Sequence, residues 1–266
     1  MKTRHLLVLA TFLAFGAGAQ TILFDFENAQ LGSSLPLNLS VGGLTATFSA
    51  TGAGGYYIQQ PQNVIGTVPA GFSGNCLMPS AVYAADLHVA FSAPVTSFSI
   101  HYAPQELTCD ASANVSVTAY LNGLLVGANT TNATAFCADV PCTWPGQTLA
   151  FASAQGFNSV VLHYVAPGSG CQNYGPIFLA DNMLVTPAAL PMHLANPVTL
   201  PSGEFRFAFT NWPNLPFSAF GATNPALPFS NWLSLGSVTE SSPGSFLFID
   251  LQATNFTRRF YRVSSP

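Results

Sequence analysis

Short runs of alternating apolar and polar residues recur along the chain between residues 21 and 185. A period of two indicates β-strands with one buried face, and the breaks contain glycine, proline and asparagine rather than helix caps. The sequence predicts a hairpin around Asn122-Gly123, because this pair accepts the positive φ angles of a two-residue turn. The pattern predicts ten strands, at residues 21–26, 44–50, 75–78, 87–92, 97–103, 115–121, 124–128, 148–152, 159–165 and 177–185.

A second group of strands follows a proline-rich segment. Four prolines between residues 187 and 201 predict a stiff linker over 188–202. Beyond it, Phe-rich strands are predicted at 204–210, 217–220, 232–239, 245–250 and 258–263. Because no amphipathic helix competes with these strands, the chain is predicted to be all-β. It reads as an antiparallel two-sheet sandwich over residues 20–187 and a smaller β domain over 203–266.

The first nineteen residues read as a signal peptide. Lys2 and Arg4 form a positive start, residues 6–15 form an apolar core, and Ala17-Gly18-Ala19 is a small-residue cleavage site. The alternative, an uncleaved membrane anchor, would need about 20 apolar residues to span a bilayer. We therefore predict export and cleavage before Gln20, with no transmembrane segment afterwards.

Basic side chains are almost absent from the predicted sandwich. After Arg4 no lysine or arginine occurs before Arg206, while residues 20–190 contain seven acids. Phosphate binding, nucleic-acid binding and Schiff-base chemistry all depend on lysine or arginine, so we exclude these functions for the sandwich. Only 6% of the chain is charged, which leaves solubility to serine, threonine and amide side chains.

Five cysteines lie in the predicted sandwich, and an oxidising compartment favours disulfides. Cys137 and Cys142 are near in sequence and lack a second ligand pair at zinc-site spacing, which favours a local bridge between them. Because the number of cysteines is odd, one thiol stays free, and we predict that it is Cys76 and that it is buried. Five cysteines with one left free allow about fifteen arrangements, so this assignment remains one of several.

A second bridge is suggested by an internal similarity. Residues 97–104 and 159–167 each contain a His-Tyr pair, and each histidine stands eight residues before a cysteine. If the two strands run in the same direction, Cys109 and Cys171 leave the same end of the sheet and pair. The histidines, His101 and His163, also share a phase and could hold a metal with His88, although strand histidines are more often surface or hydrogen-bonded residues.

Three short stretches resemble the jelly-roll sandwiches of secreted bacterial surface proteins, an architecture shared with carbohydrate-binding modules. They are Ile22-Leu-Phe-Asp-Phe-Glu27, Val89-Ala-Phe-Ser-Ala-Pro-Val95 and Ile177-Phe-Leu-Ala-Asp-Asn-Met-Leu-Val185. The resemblance covers residues 22–186 and implies a jelly-roll-like β-sandwich. The end of the chain, residues 232–263, resembles a small β module appended to varied secreted bacterial proteins, without the apolar helix and basic tail of a PEP-CTERM sorting signal.

The same resemblance implies a structural calcium ion. Carbohydrate-binding modules of this kind often bind calcium through an acid on the first strand and an aspartate on the last, and the matching positions are Glu27, with Asp25, and Asp181. The charges agree with it, because carboxylates that meet without lysine or arginine repel unless a cation or water intervenes, and calcium accepts such oxygens. The alternative is that each acid caps a loop or faces water.

Sugar binding would use an exposed aromatic ring. Trp144, in a proline-containing loop after Cys142, is one candidate, and Tyr56 and Tyr57, in a glycine-rich segment, are another. The alternative is that the tryptophan packs over a disulfide and the tyrosines fill one end of a sheet.

The arginines gather on the last predicted strand, at positions 258, 259 and 262. We interpret them as a charged edge that resists pairing with other chains, with Asp250 and Glu240 as partners. An anchor to acidic polysaccharide is the alternative.

Taken together, these features predict a non-catalytic protein that is secreted or at the cell surface and binds polysaccharide or other cell-surface components. A structural or adhesive surface protein is the alternative, and a polysaccharide hydrolase or lyase is less favoured. Glycosidases need two carboxyl groups across a cleft, and the only glutamates of the front domain, Glu27 and Glu106, lie on unrelated segments. No G-x-S-x-G nucleophile motif is present.

Overall fold

The computed structural model describes residues 20–52, 54–80, 85–104, 114–132, 146–165, 178–190 and 192–265. The chain divides into two compact units: Thr21–Ala188, here the N-terminal unit, and one that includes Ala189–Pro266, here the C-terminal unit. Both units consist of antiparallel strands, which confirms the predicted all-β class. Within the described ranges, no helix is long and apolar enough to cross a membrane.

The N-terminal unit contains ten described strands and one short helix. In chain order they are β1 (Ile22–Phe24), β2 (Leu37–Val41), β3 (Leu44–Gly52), β4 (Tyr56–Gln59), α1 (Pro61–Ile65), β5 (Cys76–Pro79), β6 (Ala85–Pro104), β7 (Asn114–Leu121), β8 (Leu124–Asn132), β9 (Gln147–Val165) and β10 (Phe178–Pro187).

Two long strands, β6 and β9, join the two layers of the sandwich. They pair with each other along most of their length, but their outer partners change: β6 pairs with β3 up to Phe91 and with β10 from Val95 onward. The register shifts between Ala90 and Val95, where the predicted strands 87–92 and 97–103 meet. One layer therefore has the order β2-β3-β6-β9-β7-β8, and the other has β4-β5-β10-β6-β9 with β1 beside β10.

The core lies between these two layers. Along β3, Leu44, Ala46 and Phe48 are fully buried, as alternation requires of a strand with one inner face. Tyr164 of one layer stacks on Phe178 of the other, with ring centroids 6.1 Å apart, although β9 and β10 are not paired. Such contacts between unpaired strands confirm the predicted β-sandwich.

The predicted hairpin is present. β7 and β8 flank Asn122 and Gly123, whose φ angles are 51° and 82°, the left-handed values that a tight hairpin turn demands. Asn158 holds the turn by accepting from the Asn122 backbone N–H at 2.9 Å and donating to its side-chain oxygen at 2.9 Å.

The directional argument for the second disulfide is wrong. β6 and β9 are antiparallel neighbours, so the segments that contain His101 and His163 do not run in the same direction. Cys109 and Cys171, and likewise Cys137 and Cys142, lie outside the described residues. Cys76 is described and is a buried free thiol, as predicted.

The C-terminal unit contains two small sheets. Its strands are β11 (Ala195–Thr199), β12 (Phe205–Thr210), β13 (Ser218–Ala222), β14 (Leu233–Ser237), β15 (Thr239–Ser242), β16 (Ser245–Asp250) and β17 (Phe260–Ser264), with 3-10 turns at Phe229–Asn231 and Ala253–Asn255. The sheet orders are β11-β12-β16-β15 and β14-β13-β17. Phenylalanines fill the core; Phe209, for example, stacks on Phe246 with centroids 5.1 Å apart.

Part of the predicted linker is a strand. β11 lies inside the segment 188–202 and pairs with β12, so this part of the segment is not a linker. The ladder is irregular between Ala195 and Val198, and Pro197 lies in this gap. Because β11 is an edge strand, the missing N–H of the proline costs no regular ladder bond.

The arginine edge must also be corrected. Arg259 is only 3% exposed and forms an ion pair with Asp250, with 2.7 Å from Nη1 to Oδ2. Arg262 lies over the Trp232 ring at 4.9 Å. Arg258 is exposed and matches the interpretation of a solvated edge. Glu240 accepts from backbone N–H groups rather than from an arginine side chain.

Candidate functional site

Three acids of the N-terminal unit lie at one site because β1 pairs with β10. Phe24 stands opposite Met183, which brings the turn that contains Asp25 and Glu27 beside Asp181. The phenylalanine between the two acids of the turn is buried and has a φ of 60°. The Glu27 backbone N–H donates to Asp25 Oδ1 at 3.2 Å. This arrangement is called the carboxylate site below.

Asp181 is the buried member, with no exposed surface. The ladder between β10 and β6 is interrupted just after it, and Asn182 takes a left-handed φ of 49°. One carboxylate oxygen accepts the Asn182 backbone N–H at 2.7 Å, and the other accepts that of Ser73 at 2.9 Å. The Asn182 side chain donates to the carbonyl of Gly71 at 2.8 Å. A loop at residues 71–75 is thereby fixed over Asp181.

Glu27 binds the same loop from the other side. Its Oε1 accepts the backbone N–H of Asn75 at 3.1 Å, and the Asn75 side chain donates to the carbonyl of Ala29 at 3.2 Å. Gly74 lies directly against the Glu27 carboxylate, so that a Cβ at this position would overlap both carboxylate oxygens. The loop closes over the acid only because residue 74 lacks a side chain.

The carboxylate site combines three acids, and the sequence of the N-terminal unit supplies no lysine or arginine to balance them. Burial raises the pKa of Asp181 to about 7, the backbone hydrogen bonds from Ser73 and Asn182 oppose this, and Glu27 and Asp25 raise it further. Burial, Asp181 and Glu27 also raise the pKa of the Cys76 thiol. Residues 21–188 contain no lysine or arginine that could balance these charges.

The oxygen atoms at the site suit a hard cation in type, since carboxylates and nearby backbone carbonyls are the groups that calcium prefers. Carboxylates alone do not complete a cage: among the described residues, no group of three or more His, Cys, Asp or Glu side chains is arranged to hold a metal ion. A cation here would need carbonyl oxygens and water in addition to the acids.

Gly74→Ala tests the closeness of this contact. The methyl group is expected to displace the Glu27 carboxylate and break its bond to Asn75, which costs about 1 kcal/mol beyond the backbone strain of a positive φ. Gly66→Ala is the matched control, because Gly66 has a φ of 73° against 52° for Gly74 and no atom near its would-be Cβ. Urea unfolding of both variants measures the difference. Equal destabilisation by the two substitutions would contradict the contact.

The two tyrosines that the sequence suggests for sugar binding are not both exposed. Tyr56 is 1% exposed, and its hydroxyl donates to the carbonyl of Ala85 at 3.0 Å, because alternation places this residue on the inner face of β4. An open stacking surface is therefore ruled out for Tyr56. Tyr57 is partly exposed and packs against a small apolar cluster that includes Cys76. Trp144 lies outside the described residues.

The three strand histidines have separate partners. His163 Nδ1 lies 2.6 Å from Asp86 Oδ1, His88 Nδ1 lies 3.2 Å from the hydroxyl of Ser49, and His101 Nδ1 lies 3.0 Å from the hydroxyl of Thr148. No metal-binding group among the described residues includes them.

Sequence reasoning missed the loop that closes the carboxylate site. Ser73 contributes a backbone N–H group and Gly71 a carbonyl, so their side chains carry no signal of the role. Asn75 contributes both its backbone N–H and its side chain, but a single asparagine does not indicate such a loop by itself. The spacing of Gly71 and Gly74 is the one visible hint, because both take positive φ angles.

No family model matches this chain, and no curated protein matches it. Similar solved structures include the K2 cleaved adhesin domain of Lys-gingipain, which is 12% identical over 63% of this chain and 99% of that chain, with a TM-score of 0.41. The CBM22-1 xylan-binding domain of Paenibacillus barcinonensis Xyn10C is 12% identical over 66% of this chain and 100% of its own, with a TM-score of 0.37. The tandem CBM22-1-CBM22-2 domain of the same protein is 10% identical over 96% and 92%, with a TM-score of 0.37.

Proposed function

We propose that the protein is exported and that its N-terminal unit is a non-catalytic carbohydrate-binding β-sandwich. The proposal rests on the outer face of the layer that contains β3 and β7. Five of the partly exposed side chains on β3 and β7 bear hydroxyl groups, namely Thr45, Thr47, Ser49, Ser116 and Thr118. Asp86 is the only acid on the described strands of that layer. Such a face hydrogen-bonds neutral polar polymers and does not attract anionic ones.

Calcium at the carboxylate site is the second part of the proposal. Asp181 and Glu27, with Asp25, would hold the ion together with backbone carbonyls and water. When bound, it would supply positive charge that keeps the acids ionised and fixes the loop at residues 71–75. The absence of lysine and arginine from the unit supports this assignment.

The arrangement of the acids favours binding over catalysis. Asp181 has no exposed surface, and both of its oxygens accept backbone N–H groups. A carboxyl group in that position cannot reach a polymer as a general acid or base, because proton transfer requires hydrogen-bond contact with the substrate.

An adhesive surface protein is the second candidate, and one observation favours it. At the tip of the β7–β8 hairpin, Leu124 and Leu125 are 75% and 68% exposed. Adjacent exposed leucines suit contact with another protein better than contact with a sugar.

A glycan array of the full chain, run in 10 mM calcium and in chelator, tests the function. We expect binding to neutral glycans and none to sulfated ones. Calcium should stabilise the protein by on the order of 1–3 kcal/mol, seen as a higher melting temperature, if its Kd is near the 10⁻⁴ to 10⁻³ M typical of extracellular sites. A blank array together with binding to surface proteins would favour the adhesive candidate, and an unchanged melting temperature would remove calcium.

A further inference from the structure

A cleft of about 450 Å³ opens in the N-terminal unit, away from the carboxylate site. Four chain segments line it: the approach to β2, the end of β3, the start of β4 and the residue after β5. Its lining residues are Ser34, Leu35, Pro36, Ser49, Ala50, Gly54, Gly55, Tyr56 and Ser80. Small-molecule sites commonly have volumes of about 300–1,000 Å³, so the cleft has the size of a site for one small ligand. It is called the serine cleft below.

Backbone hydrogen bonds between the segments hold the walls of the serine cleft. The Leu35 N–H donates to the carbonyl of Tyr56 at 3.0 Å, and the Ser80 N–H donates to the carbonyl of Gly55 at 2.8 Å. Ser34 forms an isolated antiparallel bridge with Tyr57. The cleft is thus preformed, which lowers the entropy lost when a ligand binds.

Hydroxyl groups supply the polar chemistry of the cleft. Three of the four segments contribute one serine each, at positions 34, 49 and 80. Ser34 and Ser80 are exposed, and no hydrogen bond of either hydroxyl to the rest of the described chain is found. Ser49 already shares a bond with His88 at 3.2 Å. A hydroxyl both donates and accepts, so two such groups can serve the hydroxyls of a ligand.

The lining carries no charge. No acid, lysine, arginine or histidine is among its residues, and Leu35, Pro36 and Ala50 add apolar surface. Phosphate, sulfate or carboxylate groups would find no positive partner there. A sugar ring presents hydroxyls at its rim and C–H groups on its faces, which matches a lining of hydroxyl and small apolar groups.

We propose that the serine cleft binds one residue of a neutral sugar, and this rests on the carbohydrate-binding function proposed above. A peptide added as an extra strand fits less well, because strand addition needs unpaired backbone groups. The backbone groups of Leu35, Tyr56 and Gly55 at the cleft already bond to each other and to Ser80.

Two variants of the full chain test the site, first on the glycan array and then by titration with the neutral glycan bound best. Ser34→Tyr fills the cleft and is expected to weaken binding by more than tenfold. Ser80→Ala removes one hydrogen bond and should weaken it by about three- to tenfold. Asn38→Tyr is the control, because Asn38 is exposed on β2 outside the cleft. It should bind like the unchanged protein, and melting curves should show that all three fold.

The outcomes separate this inference from the function on which it rests. A blank array overturns both. Glycan binding that Ser34→Tyr and Ser80→Ala leave unchanged overturns the serine cleft alone. Binding restricted to acidic glycans, or binding of immobilised peptides that Ser34→Tyr abolishes, also overturns a neutral-sugar site.

Discussion

Arg259→Met is expected to lower the free energy of unfolding of the C-terminal unit by about 3–5 kcal/mol, because it leaves a buried charge without its partner. The side chains of Arg259 and Asp250 are 3% and 6% exposed, and Tyr261 donates to the same Asp250 oxygen at 3.0 Å. The guanidinium also lies 4.2 Å from the centre of the Phe256 ring. Urea unfolding followed by tryptophan fluorescence measures the loss, since Trp212 and Trp232 lie in this unit.

Arg258→Met is the matched control. Arg258 is the neighbouring arginine and is exposed, so its loss should change the stability by less than about 0.5 kcal/mol. The double variant with Arg259→Met and Asp250→Leu leaves no unpaired charge and should recover part of the loss. The rest should persist, because the buried Tyr261 hydroxyl then lacks its acceptor. Similar stabilities for Arg258→Met and Arg259→Met would show that the buried pair contributes nothing.

Alternation explains how much of the fold the sequence predicts. Buried and partly exposed side chains alternate along β3 and β7, and seven of the ten side chains of β10 are buried; each of these strands overlaps a predicted strand. The sequence does not predict β2 or β4, for two different reasons. β2 has no buried residue, so the contrast between its two faces is weak, and β4 is only four residues long. Edge strands bury less, so their pattern is weaker.

The long strand β6 shows that strand ends cannot always be predicted from the local sequence. Pro94 separates two runs of alternation, and a proline predicts a strand end. β6 continues through it because the ladder with β9 is irregular between Ala90 and Val95, where a missing N–H is tolerated. Whether a proline ends a strand or lies in a bulge is decided by the neighbouring strand, which the local sequence does not contain.

The arginines show the same limit for charge. Alternation along the last strand puts Arg258 and Arg259 on opposite faces, but it does not tell which face is buried, because each face combines arginine with an aromatic residue. Arg259 lies buried against Asp250, the last residue of β16, and the same Asp250 oxygen also accepts the Tyr261 hydroxyl. Asp250 could be suggested as a partner from the sequence, but the burial of the pair depends on packing between two sheets.

Without calcium, the free energy of unfolding of the N-terminal unit is expected to fall as the pH rises from about 4 to about 7. The pKa of Asp181 is 3.8 in the reference state and about 7 in the folded protein, so the folded state holds the proton more tightly across this window. Stability from the protonated acid is fully present below pH 3.8 and is lost as the pH passes 7. The full effect is on the order of 4 kcal/mol, at 1.36 kcal/mol per pKa unit.

Denaturant unfolding in chelator at several pH values measures this slope, and three comparisons identify its origin. Asp181→Asn should lower stability throughout, because an amide N–H₂ then faces a backbone N–H, but it should remove the slope. Glu204→Gln, which changes an acid of the C-terminal unit, should leave the slope intact. Excess calcium should restore stability most above pH 7, where the carboxylate is ionised. A slope that survives in Asp181→Asn would assign the pH dependence to another group.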